Sequence, residues 1–148
     1  MGISNAEKAA YLNRYRESLI KEKSLKDEID EIMTRAYKIT PSLSLVPGSS
    51  GDGSSSGNKK IESAIEKANE VRKRLEAQMA ESEALREKIE ALINSVSPPS
   101  SQNILRLRYI NGMSLKKISG TIYLDYRWVR RKHQAALRRL KIQDIFKF

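Results

Sequence analysis

Apolar positions along residues 59–96 recur in alternating steps of three and four: Ile61, Ala64, Ala68, Val71, Leu75, then Leu85, Ile89, Leu92 and Val96, with Gln78 and Ser82 filling the intervening places. A sustained 3.5-residue period predicts a long helix whose narrow seam needs a second helix against it. The seam is read as Ile61, Ala68, Val71, Leu75, Leu85, Ile89 and Leu92, and the helix would be roughly 57 Å long. A polar side chain in such a seam sets register or oligomeric state at some cost in stability.

A weaker version of the same pattern covers residues 5–39, through Tyr11, Tyr15, Ser18, Glu22, Leu25, Ile29, Ile32, Ala36 and Ile39, with Leu12 and Leu19 on a neighbouring stripe. Thr40-Pro41 is expected to end this helix, because a residue before proline is pushed out of the α region. Between the two periodic tracts, residues 42–58 are rich in Gly and Ser and read as a flexible linker. The partner of the heptad helix is then either the first helix folded back within the chain or a second copy in a homo-oligomer, most simply a dimer.

After Ser97-Pro98-Pro99 the pattern changes to short elements. Ser100 or Ser101 is expected to cap a helix over 102–110, Asn111-Gly112 marks a turn, and Ser114 and Asp125 are N-caps of two further helices, the second running over 126–140. Leu115, Ile118, Ile122, Leu124, Val129, Leu137 and Leu140 supply an apolar seam for a helix, a turn and a helix. The tail, 142–148, has large apolar residues that could dock or remain free. The expected fold is all-α: a long helical hairpin or coiled-coil arm followed by a helix-turn-helix domain. Its parts are residues 1–41, the linker 42–58, the heptad helix 59–96 and a C-terminal domain over 97–148.

Charge changes this picture because of where it lies. Residues 97–148 carry 12 Lys and Arg against only Asp125 and Asp144, and so account for the whole formal net charge of +10. The first two thirds mix signs, as solvated helix faces do. One-sided charge points to a polyanionic partner, and the helix–turn–helix pattern favours double-stranded DNA over an anionic membrane.

Other chemistry finds little footing. With no Cys and one His, thiolate metal sites, disulfides and a nucleophile–base pair with His133 are not expected, nor is a cofactor or an enzymatic activity. No apolar run reaches the roughly 18 residues of a membrane span, and the first residues lack the apolar stretch of a secretory signal. The expectation is a cytoplasmic protein with no membrane partner.

The span 103–141 resembles region four of bacterial sigma factors, through LRLRYINGMSLKKIS, the apolar residue at Val129 and the closing AALRRLK. The chain as a whole resembles phage-encoded late-transcription regulators of the ArpU and RinA type, through Ile39-Thr40-Pro41 and the LRLRYI run. That likeness implies a DNA-binding late-gene activator working with host RNA polymerase in the bacterial cytoplasm. It departs from the pattern at the turn, where Gly120 comes early and Tyr123 takes the usual turn position. No segment resembles the sigma region that melts promoters.

On the last helix, Leu124, Val129 and Ala136 or Leu137 are expected to face inward, leaving Tyr126, Arg127, Arg130, Arg131 and Gln134 as base readers. Arg106, Arg108, Lys116, Lys117, Lys132 and Arg138 are assigned to phosphates. Trp128 is read as a half-buried prop in preference to a stacked DNA contact. A small terminase subunit and a coiled-coil adaptor are the alternatives to a transcription regulator.

Overall fold

The computed structural model describes residues 2–44 and 52–142, and among these the side chains outside 39–44 and 52–56. Its regular elements are all helical, with no strand among the described residues: α1 (Asn5–Ser44), α2 (Asp52–Asn94), α3 (Pro99–Leu105), a π-helical turn (Arg106–Ile110), α4 (Leu115–Thr121) and α5 (Tyr126–Arg139). The protein is all-α.

α1 starts on a reciprocal cap written in the sequence as Ser4-Asn5-Ala6-Glu7. Glu7 Oε2 accepts from the Ser4 amide at 2.9 Å, and Ser4 Oγ accepts from the Glu7 amide at 3.2 Å, which satisfies donors the helix itself leaves open. At its other end α1 runs through Pro41 to Ser44, beyond the expected stop. A proline ring holds φ near a helical value, while costing a helix one donor and crowding the carbonyl four residues earlier. Likewise α2 begins at Asp52, so much of the expected linker is helical. Gly57, within that stretch, is buried. The remainder of that linker, 45–51, and the tail beyond Ile142 lie outside the described residues, as does the side chain of Ile39.

Two compact units result, one formed by Met1–Leu19 with Glu81–Phe148 and the other by Ile20–Ala80. The segment expected as a domain over 97–148 lies within the first of these units. The C-terminal helices share a unit with the first turns of α1 and the last turns of α2, because those turns supply part of its core.

In the unit Ile20–Ala80 the two long helices pair antiparallel within one chain. Glu28 meets Arg74 at 3.2 Å, while Ile32 and Ala36 share a groove with Ala64 and Lys67. Glu22 and Ala36 are buried on one helix, and Ala64, Ala68 and Val71 on the other. Leu25, Ile29, Ile32, Ile61 and Leu75 are half-buried, as the edges of a two-helix seam are. The exposed Glu28–Arg74 pair adds at most about 1 kcal/mol; apolar contact holds the pairing.

In the other unit the seam continues through Tyr11, Tyr15, Ser18, Ser82, Ile89 and Val96, all buried. Leu12 and Ile93, one position off the predicted stripe, are completely buried, whereas Leu85 and Leu92 are only partly so. The reason is a second neighbour. Tyr11, Leu12, Tyr15, Ile89, Ile93 and Val96 belong to one core cluster with Leu105, Tyr109, Ile110, Ala136, Leu137 and Leu140, and a helix packed on two sides buries a wider stripe than a coiled-coil seam.

Ile93→Ala is accordingly expected to cost about 2–4 kcal/mol in chemical denaturation, and Leu92→Ala clearly less. The opposite order would return the heptad seam to Leu92.

Candidate nucleic-acid interface

The helices over 97–142 are set in place by backbone groups at their ends. Gln102 Nε2 donates to the carbonyls of Asn94 at 3.1 Å and Val96 at 2.6 Å, closing the end of α2, and Arg139 Nη1 donates to Ser97 O at 2.9 Å. The expected Ser100 or Ser101 cap is not formed: α3 starts at Pro99, with Pro98 in the cap position and no side-chain bond there. A proline at the first helical residue removes one of the open donors, and its fixed φ suits the start of a helix. The helix expected over 102–110 is also different, since it changes to a π-turn in which the Asn111 amide donates to Arg106 O at 3.1 Å. The wider turn accompanies burial of the adjacent Tyr109 and Ile110.

Gly112, at φ 76, ends that turn. The left-handed backbone is glycine's, and a side chain would also displace the Arg16 arm. A Cβ there would lie 2.6 Å from Arg16 Cζ, because the Arg16 guanidinium covers the turn while donating to Ile110 O at 3.0 Å.

Ser114 caps α4, its Oγ accepting from the Lys117 amide at 3.1 Å. α4 closes with the Leu124 amide donating to Ser119 O at 3.1 Å, around Tyr123 at φ 55. That is the arrangement in which the residue after a helix turns left-handed. Leu124 is consequently turned outward, 42% exposed, contrary to its expected inward place. Asp125 occupies the cap position of α5 without a side-chain bond to it, so its contribution is through the helix dipole. Ile104, Ile118 and Val129 form the core between these helices, with Leu107, Met113, Leu115, Ile122 and Trp128 packed on it. Trp128 is thus a prop.

α5 buries one face through Val129, His133, Ala136 and Leu137. Tyr109 Oη and His133 Nε2 are 2.7 Å apart in the interior. Burial, reinforced by the Arg108 charge, pushes His133 down to about 4; burial also pushes Tyr109 up to about 12 against the opposing Arg108 charge. The imidazole is therefore neutral at pH 7. At the far end of α5, the start of α1 grips the helix. Lys8, itself buried, donates from Nζ to Leu137 O at 2.9 Å and Arg138 O at 3.3 Å, an ammonium on the negative end of the dipole. Asn5 Nδ2 donates to Gln134 Oε1 at 2.9 Å and to Gln134 O at 3.2 Å.

With one face committed, Tyr126, Arg127, Arg130 and Arg131 are left exposed together on the N-terminal half of α5. Arg130 lies over the Tyr126 ring, 5.8 Å from its centroid. Lys116, Lys117 and Arg138 are exposed as well, and Lys132 sits over the Trp128 ring at 5.2 Å. Three residues proposed from the sequence also bond within the fold. Gln134 is bonded to Asn5. Arg106 bonds to Asn94 Oδ1. Arg108 is half-buried and donates to Met113 O at 3.1 Å beside the Tyr109–His133 pair. Each of the three meets a neighbour that short-range periodicity does not reveal. Lys8 and Arg16, which place the helices, stand out in no sequence pattern either; only Asn111-Gly112 hints at a crowded turn.

No family model, curated protein or solved structure matches the chain. No helix among the described residues is long and apolar enough to cross a membrane, and no group of three or more His, Asp or Glu among them is placed to hold a metal ion.

Two consequences are measurable. Unfolded His133 has an ordinary value near 6.5, above its folded one, so its contribution to stability is full above pH 6.5 and is lost as pH falls toward 4. Between pH 7 and 5 that loss is on the order of 1–2 kcal/mol, and His133→Leu should flatten this part of the stability curve; an unchanged slope would refute the buried neutral imidazole. Lys8→Met, which keeps most of the stem, should cost roughly 1.5–3 kcal/mol in denaturant unfolding.

Proposed function

We propose that the protein is a sequence-specific transcription regulator that binds double-stranded DNA, with α4 and α5 acting as a helix-turn-helix and α5 as its reading helix. The observation that carries this reading is the exposed row of Tyr126, Arg127, Arg130 and Arg131 on a helix whose opposite face is fully committed to the core. Among the described residues no ion pair reaches these cations; the pairs present lie on α1 and α2. A planar guanidinium can give two hydrogen bonds to guanine O6 and N7, worth roughly 1–3 kcal/mol of discrimination. Lys116, Lys117, Lys132 and Arg138 flank the row as phosphate contacts that position the domain.

The resemblance to sigma region four and to ArpU- and RinA-type regulators supports the narrower reading: a phage late-gene activator acting at promoters with host RNA polymerase in the bacterial cytoplasm. In this reading the C-terminal helices are a region-four-like module, and the paired long helices set oligomeric state or meet the polymerase.

Duplexes selected from a randomised pool test it. Replacing Arg130 and Arg131 together with Ala should reduce the preference for the selected site over a scrambled one by roughly tenfold or more. Unchanged discrimination would remove α5 as the reader. A ring of many subunits in light scattering, together with selection of a packaging site, would favour a small terminase subunit instead.

A further inference from the structure

Tyr123 stands where its own chain gains nothing from it. It occupies the left-handed position after α4, at φ 55, which glycine fills most cheaply; an L-residue with a side chain gives up roughly 1–2 kcal/mol there. Nothing in the fold offsets that, since the ring is 92% exposed. The adjacent surface shows a second anomaly. Gly120, exposed near the end of α4, has no atom within 4 Å of where a Cβ would lie, so no contact within the chain requires a glycine that costs the helix about 1 kcal/mol relative to alanine. Lys116, four residues earlier on the same helix face, is exposed, and so are Lys117 and Arg127. Asp125, which follows the turn in sequence, sits at the positive end of the α5 dipole, which opposes its charge.

From this placement we infer that the Gly120–Tyr123 turn is a second contact to DNA, made to the sugar–phosphate backbone beside the groove that α5 enters. Tyr123 lays its ring on a deoxyribose and donates its hydroxyl to a phosphate oxygen, and the bare flank at Gly120 admits the DNA backbone closely. The inference rests on the DNA-binding reading above. The one-sided positive charge bordering the patch favours the DNA backbone over a protein partner, because it complements a polyanion.

The test pairs stability with binding to a mixed-sequence duplex of about 30 base pairs, some three helical turns. Tyr123→Gly should raise Tm by about 2–4 °C and weaken binding roughly tenfold, the equivalent of one hydrogen bond to a charged group. Tyr123→Asn, which tolerates the left-handed backbone, should weaken binding as much, while Tyr123→Phe keeps the ring contact and loses less. The Arg130→Ala, Arg131→Ala double variant is the reference. If it weakens binding while Tyr123→Gly and Tyr123→Asn stay within about twofold of the parent, the turn contact is overturned and the reading helix stands. If the parent protein itself does not bind the duplex at low salt, both fall.

Discussion

Everything at the C-terminal end follows from the commitment of one face of α5 to the core. Val129, His133, Ala136 and Leu137 recur at the spacing of a single helical stripe and are buried, so the remaining positions of a helix rich in arginine must face water. Burial of the stripe fixes the helix rotation, and rotation in turn decides which guanidinium groups are presented. Core packing thus sets the pattern of the charged surface, without an ion pair among the described residues to hold it.

That stripe is completed from the far end of the chain. Lys8 and Asn5 hold the last turns of α5 by their backbone and side-chain oxygens, and Arg16 closes the turn at Gly112 through Ile110 O. The last turns of α2 bring Ile89, Ile93 and Val96 to the same cluster. A C-terminal fragment beginning near residue 97 would lack these groups and expose the apolar side of its own helices. The long helices therefore serve the C-terminal elements directly at their ends, in addition to pairing with each other over Ile20–Ala80.

Much of this was legible in the pattern of residues, and the limits are physical. Helix period exposed both long helices and their seam, even to the buried Ser18, Glu22 and Ser82, because repetition over many turns outweighs single polar residues. It placed Ser114 as a cap and Trp128 as a prop. It does not reveal a second neighbour: Ile93 rather than Leu92 is fully buried, and Arg106, Arg108 and Gln134 also form hydrogen bonds within the fold. Proline and glycine signals overstated the breaks, since α1 passes Pro41 and α2 starts at Asp52. Leu124 went astray for a local reason, the left-handed Tyr123 before it. The Ser4–Glu7 cap, by contrast, follows a local pattern that the sequence carries in full.

The proposed DNA binding places the exposed cations around α5 against the phosphates of a duplex. The most direct measurement is the affinity of the intact protein for a duplex as a function of salt. Engagement of about five phosphates predicts a log–log slope of roughly −4 to −5, from counterion release. A flat response, or no binding at low salt, would contradict it.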